Sequence, residues 1–387
     1  MSEVQESLKL PIIIDLGSSE IKAGFTGEEK PSVIFKSYIG ESKFKKVFSP
    51  IDKNKEIKEE YIGEDCFKNI GLKKIRHPIN HGIITNDQDI MPIFNHIYSK
   101  LGISPEEISE HPVLITEPLL NPYINREKIA ISLFDDMSVP AIFFASQPIL
   151  SLFSTSNTSG IILESGEAVS QSCIVYEGYS LPNTFERFDY GGGDVTKYLK
   201  LLLKMKGYKL YNSNEYRFIS DMKEKYCFFL PEDKNLDYEK VKKVLNNKKV
   251  NYYLPDGTTV LLGDERIVAS EILFNPDIIG KEFLGLSDIV LSSINKTEIQ
   301  LRPKVFENIF LSGGNISMKG LPDKLKADVI KKSNKILKIN VNSVKEPQLS
   351  CWVGGNILTT LDIFSKMSVN RKEWEEKGSK VIHMKTI

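Results

Sequence analysis

PIIIDLGSSEIKAGF, residues 11–25, decides how this chain is read. Its first half is a short apolar run that ends on an acid, Asp15, and such a run reads as a buried strand. Asp15-Leu16-Gly17-Ser18-Ser19 then turns the chain into a second amphipathic run. A turn of small residues at a strand end presents backbone N–H groups, hydroxyls and one carboxylate together, the equipment for holding a phosphate and its metal. In that reading Asp15 orients Mg2+ through its waters, Gly17 lets the backbone approach the phosphate, and Lys22 places a positive charge over it. The same residues also describe an ordinary hairpin with Asp15 and Ser18 as turn formers. The rest of the chain has to separate the two.

With 387 residues the chain exceeds one ordinary core, so two lobes or more are expected. Its 51 basic and 51 acidic residues cancel, which leaves no net field to draw in nucleic acid or an anionic membrane. The first ten residues, MSEVQESLKL, have no basic segment followed by an apolar one and predict no secretory leader. The most apolar stretch, 139–153, is interrupted by Ser146, Gln147 and Pro148 and is too short to span a bilayer. Cys66, Cys173, Cys227 and Cys351 are far apart with no CxxC pair, so they read as reduced, buried small hydrophobes of a cytosolic or nuclear protein. The dispersed histidines suggest no metal site either.

Downstream, 39–58 is rich in lysine and serine and reads as a mobile loop, a solvated face or a docking surface, closed by a short strand at 60–63. Ile90, Ile93, Phe94 and Ile97 give 86–101 the period of a core-facing helix. PVLIT (112–116) is a second buried strand, and 125–134 a helix with Asn125 as its N-cap. A third strand at 140–144 leads into a helix through about Ser154 whose first turn suits Pro148. This alternation predicts an α/β lobe with its strand ends pooled on one side.

The opening theme then returns. SGIILESGEAVSQSCIVYEG (159–178) is again strand, acid, small-residue turn and strand, with Glu164-Ser165-Gly166-Glu167-Ala168 standing where residues 15–19 stood. Two such units predict duplicated lobes whose turns face one another across a nucleotide cleft. Gly191-Gly192-Gly193-Asp194 precedes a helix at 195–205 and is read either as a flexible loop or as a helix N-terminus open to an anion. The helix 221–229 offers Lys223 and Glu224 on one side, 231–251 reads as an exposed helix or insert, and 254–257 as a hairpin turn. The apolar segment 268–279 contains Pro276 and reads as partly exposed and used in association. NIFLSGG (308–314) and SCWVGG (350–355) read as a third and a fourth strand-to-glycine turn, the last leading into a helix at 356–364.

Read together, IKAGFTGEEKP, HPINHGII, HPVLITEPLLNPYINREK, LPDGTTVLLGDERI, LFNPDIIG, IFLSGG and CWVGGNILTTLDIF occur in an order and spacing that resembles actin and the actin-related proteins over nearly the whole chain. YYLPDG, NPDIIG and the ending KEWEEKG…IHMKT resemble the centractin branch more than conventional actin. The resemblance implies an α/β fold of duplicated ribonuclease H-like domains around a nucleotide cleft. It implies a small-lobe core from 1–36, 78–154 and 350–387, an outer part at 37–77, a large-lobe core from 155–190 and 282–349, and an outer part at 191–281. It implies ATP or ADP with Mg2+ as cofactors. Asp15, Gly17, Ser18 and Lys22 match the first phosphate loop, and Ser165, Gly166 and Val169 the second. Asp194, Lys223 and Glu224 fall where the family contacts ribose and base, Gly313 and Gly314 close the nucleotide from the other lobe, and Gln147 matches the residue that positions the attacking water. Asp15 and Glu164 are the implied water-mediated metal contacts.

The departures from the family pattern matter as much. Leu16 replaces an amide and Ser19 a second glycine in the first loop, while Glu164, Glu167, Ala168 and Gln171 stand where the family has Asp, Asp, Gly and His. A Cβ at Ser19 or Ala168 is expected to crowd a phosphate or strain a turn that wants φ above zero. Gln171 orients a water but does not take its proton as an imidazole does. Near the adenine, Gly193 stands for an arginine, Met318 for an aromatic ring and Gln348 for a lysine. Pro148 stands where a small residue is usual at the lobe pivot, implying a stiffer hinge. The expected function is a nucleotide-stabilised structural subunit of a cytoplasmic cytoskeletal filament or dynactin-like complex, with self-association or protein subunits as partners and weak or absent hydrolysis. A scaffold subunit of a chromatin-remodelling or other nuclear complex and a small-molecule kinase of the same fold remain as alternatives.

Overall fold

A computed structural model describes residues 8–43, 60–210, 215–230, 249–333 and 338–385. The chain divides into two compact units, Met1–Thr155 with Cys351–Ile387, and Ser156–Ser350. Each unit is built on a mixed sheet that begins with an acid-bearing hairpin.

In the first unit the sheet order is Val369–Asn370, Ala141–Ser146, Val113–Glu117, Ile12–Leu16, Glu20–Phe25, Val33–Lys36. The opening strand pairs antiparallel with Glu20–Phe25, placing Asp15 opposite Lys22, and parallel with Val113–Glu117. Both faces of this strand are covered, which is why its apolar run is continuous. Ile12 and Ile14 pack with Ile93, Phe94 and Ile97 of the helix Ile90–Leu101, whereas Ile13 joins Leu114, Phe143, Leu150 and Trp352 on the other side. The single-residue alternation of the strand sorts its isoleucines between two separate cores.

The second unit repeats the plan. Its order is Tyr179–Ser180, Ser170–Tyr176, Gly160–Ser165, Ile309–Ser312, Val341–Ser343. Gly160–Ser165 pairs antiparallel with Ser170–Tyr176, placing Glu164 opposite Gln171, and parallel with Ile309–Ser312. Ile161, Leu163 and Ile174 share one core with Leu199 and Leu203 of the helix Gly192–Met205 and with Ile289 and Val290 of Leu286–Asn295. The expected α/β fold with a duplicated strand-acid-turn-strand unit is therefore present.

Several local readings need correction. SCWVGG is no fourth strand: Ser350–Thr359 is a helix. A Cβ on Gly354 would sit 1.8 Å from the carbonyl oxygen of Leu150, so its glycine serves a close helix approach and not a turn. Ile39–Ser42 is a strand paired with Glu60–Ile62 and Lys73–Arg76, although the rest of the expected loop, 44–59, lies outside the described residues. Asn125 does not cap its helix, which runs Tyr123–Ile131 and continues as a π-helical turn over Ser132–Asp136. Its side chain instead accepts from the Ile84 amide at 3.1 Å. The segment 268–279 is partly exposed as expected: Ala269, Ile272, Leu273 and Phe274 are buried in the core, whereas Asn275, Asp277 and Ile278 are exposed. The insert 231–248 also lies outside the described residues, and Val250–Tyr253 begins a hairpin with Thr259–Leu262 across the expected turn. All four cysteines are buried free thiols, and burial pushes Cys66 up to about 11 and Cys227 up to about 12.

Candidate functional site

In the first unit the strand ends gather a compact polar cluster around Asp15. Lys22 Nζ lies 3.1 Å from Asp15 Oδ2, with both side chains buried. Thr116, at the end of the neighbouring parallel strand, donates its hydroxyl to Asp15 Oδ1 at 2.6 Å. Gln147 Nε2 donates to the same oxygen at 3.2 Å and approaches Thr116 Oγ1 at 3.4 Å. Burial alone would lower the Lys22 ammonium, but the Asp15 and Glu20 carboxylates and the bond to Asp15 hold it above the ordinary lysine range. Ser18 Oγ accepts from the Gly82 amide at 3.4 Å. Among the described residues no hydrogen bond takes the backbone N–H of Ser18 or Ser19. This turn therefore suits a phosphate, with Lys22 close behind it.

The second unit brings its expected residues together in a different state. Gln171, buried, donates to Glu164 Oε2 at 3.4 Å. Ser165 Oγ meets Ser170 Oγ at 3.0 Å and accepts from Asn315 Nδ2 at 2.9 Å, while the Gly166 amide is taken by the Val169 carbonyl at 2.9 Å. Asn315 also donates to the Gly166 carbonyl at 2.7 Å. Gly313 has a φ of +91°, and a Cβ there would lie 2.3 Å from the Ser165 carbonyl oxygen, so the backbone of Ile309–Gly313 is docked directly on the second turn. Gly314 opens a short 3-10 turn, Gly314–Ser317.

The triple glycine is not an open helix N-terminus. Gly192 donates to the Gly166 carbonyl at 2.9 Å, Gly193 to the Glu167 carbonyl at 2.7 Å, and the Gly191 amide to Asp194 Oδ2 at 3.1 Å. The helix start binds its own neighbouring turn, which leaves those donors satisfied. Asp194 Oδ1 faces Lys281 Nζ at 3.3 Å. Lys223 and Glu224 do not act from one side either. Lys223 is buried and points at Glu167 and Gly192, whereas Glu224 is exposed and accepts from Ser220. Neighbours on a helix diverge by about 100° and rarely share a face. The expected strain at Ser19 and Ala168 is absent, since neither has a positive φ.

Thr116, Asn315 and Tyr216, whose hydroxyl donates to Glu167 Oε1 at 2.9 Å, are the members of these clusters that sequence reasoning did not place in the site. Thr116 had a usable signal, since it closes the PVLIT strand one residue past the parallel partner of Ile14. Asn315 directly follows the glycine pair. Tyr216 had none.

Duplicated mixed sheets, each opening on an acid-bearing hairpin, define an actin-like α/β fold. A family model described as Actin matches residues 8–387. The chain is 38% identical over 376 residues to an actin-like protein of Neurospora crassa, covering 97% of this chain and 97% of that one. The chain belongs to the actin family. Members of this family generally bind ATP or ADP with a divalent cation, assemble into filaments or complexes and are cytoskeletal. Among the described residues, no helix is long and apolar enough to cross a membrane, and no group of three or more His, Cys, Asp or Glu side chains is placed to hold a metal directly.

Proposed function

We propose that this chain is a nucleotide-binding structural subunit of a cytoplasmic cytoskeletal filament or fixed complex, dynactin-like, in which ATP hydrolysis is slow or absent. The observation that supports this most directly is the pairing of Glu164 with Gln171, a neutral amide at 3.4 Å. Bound Mg-ATP would supply the γ-phosphate and the metal charge that neutralises it, with Asp15 and Glu164 holding metal-bound water. Gln147 and Gln171 would orient the attacking water. An amide donates and accepts hydrogen bonds but takes up no proton near neutral pH, so the attacking water would lose its proton without a positioned base. Gln147 is itself tied by its nitrogen to Asp15, which fixes its orientation.

The test is single-turnover ATP cleavage by the full chain beside conventional actin. A rate well below that of actin, raised at least tenfold by Gln171→His, is the expected result, because general-base catalysis contributes about 100-fold or more. Cleavage as fast as actin's, or no response to Gln171→His, overturns the slow-hydrolysis reading. Electron microscopy of the native complex pulled down with the chain tests the structural role, which fails if the chain is recovered only as a monomer.

A further inference from the structure

The glycine face of the second unit is covered by the chain's own side chains. Glu167 projects from the turn between Gly160–Ser165 and Ser170–Tyr176, and its two carboxylate oxygens are claimed by one helix, Tyr216–Tyr226. Oε2 accepts from Lys223 Nζ at 3.0 Å, and Oε1 accepts from the Tyr216 hydroxyl at 2.9 Å. Lys223 Nζ is further held by the Gly192 carbonyl at 3.1 Å and is 3% exposed. A Cβ built on Gly192 would meet Lys223 Nζ at 2.9 Å and Glu167 Oε2 at 3.0 Å. One built on Gly193 would meet Glu167 Oε1 and the Tyr216 hydroxyl, each at 3.2 Å. The three residues form a closed arrangement over the glycines, in which the lysine that would greet a ligand already has an anion.

We propose that Glu167 is an internal ligand for Lys223, a latch that a nucleotide must open before this unit can hold it. The proposal rests on the nucleotide-binding reading above and deepens it by naming what regulates that site. A buried ammonium is strongly coupled to whichever anion or acceptor faces it, and here the resident carboxylate competes with the incoming ligand for the same donors. Opening the latch also unpairs a carboxylate, and the cost is subtracted from binding, so the apparent affinity falls by the fraction of molecules with the latch open. Tyr216 strengthens the closed state from the second oxygen, and its loss should weaken the latch without touching the Lys223 pair.

The test uses the full chain and a fluorescent ATP analogue with Mg2+, read as a dissociation constant and not as turnover. Wild type should bind weakly, Glu167→Gln at least tenfold tighter, and Tyr216→Phe severalfold tighter. Glu167→Gln keeps the shape and an acceptor for Lys223 while removing the charge. If that variant fails to fold, Tyr216→Phe, which retains the ion pair, carries the test alone. Variants that bind as wild type does, or more weakly, overturn the latch while leaving nucleotide binding in place. Absence of binding by wild type and both variants overturns the nucleotide reading itself, and the latch with it.

Discussion

At the same register position, facing the acid at the end of its strand, the first hairpin carries Lys22 and the second carries Gln171. The consequences spread outward. Asp15 is buried and gripped by an ammonium, a threonine hydroxyl and a glutamine amide, all within 3.2 Å. Glu164 is half-buried and approached by Gln171 at 3.4 Å. Even the hydroxyl on the neighbouring parallel strand behaves differently. In the first unit Thr116 donates to the acid, whereas in the second Ser312 meets Ser350 Oγ at 2.6 Å. One copy of the hairpin pairs its acid with a cation and the other pairs its acid with a neutral amide, and in the second unit the buried lysine is Lys223, which meets Glu167 instead.

The sharpest way to break this comparison is to remove the partner that faces the acid in each copy. Lys22→Met leaves a buried carboxylate without a counter-ion, and such removals cost about 3–5 kcal/mol. Gln171→Leu removes a long hydrogen bond to a half-buried carboxylate, 3.4 Å, and should cost about 1.5 kcal/mol, the low end for a bond to a charged group. The chain has two tryptophans, Trp352 and Trp374, and both belong to the first unit. Tryptophan fluorescence during denaturation therefore reports that unit by itself. Lys22→Met should move the fluorescence transition strongly, and hydrogen exchange in Gly160–Ser165, read for the second unit, should lose little protection in Gln171→Leu. Equal losses of stability in the two strands would mean that the two hairpins are energetically alike.

A smaller contrast lies in the hydroxyls. Thr116→Val deletes a hydrogen bond to an ionised group, worth about 1.5–3 kcal/mol, while Ser312→Ala deletes a neutral one, worth about 1 kcal/mol. Hydrogen exchange in Ile12–Leu16 and Gly160–Ser165 reads the two effects strand by strand. A larger loss for Ser312→Ala would show that Thr116 serves packing more than charge.

Both hairpins were legible in the sequence because each is a local signal, an apolar run closed by an acid and small residues. Their duplication made the fold readable. What failed was decided by contacts far away in the chain. SCWVGG has the apolar run of a strand, and only the approach of Gly354 to Leu150 shows why the glycines sit in a helix. The glycines at 191–193 suggested an open anion site, but the carbonyls that close it belong to Gly166 and Glu167. The separation of Lys223 from Glu224 was readable all along, since adjacent helical residues point apart. The latch was not, because the length of the Glu167 side chain acquires meaning only when Lys223 and Tyr216 are known to lie opposite it.

The finest test of the comparison is its dependence on alkaline pH. Lys22 is held above its ordinary value of 10.5, burial being outweighed by Asp15 and Glu20. A cation raised in this way contributes stability that is fully present below the unfolded value and lost as pH rises through the folded one. Gln171 has no proton to lose, so the second hairpin adds no such slope. Buried tyrosines complicate the raw curve. Tyr98 and Tyr190 are raised by burial, and each favours the folded state less once its unfolded counterpart ionises. The difference between wild type and Lys22→Met cancels them, because both chains keep both tyrosines. That difference should be constant through neutral pH and should narrow above pH 10.5, by at most about 1.4 kcal/mol per pH unit. At the alkaline limit a deprotonated Lys22 leaves Asp15 as unpaired as methionine does, so the two tryptophan-detected transitions should converge. Curves that stay parallel throughout the alkaline range would show that Lys22 holds its place by packing, and that charge is not what separates the two hairpins.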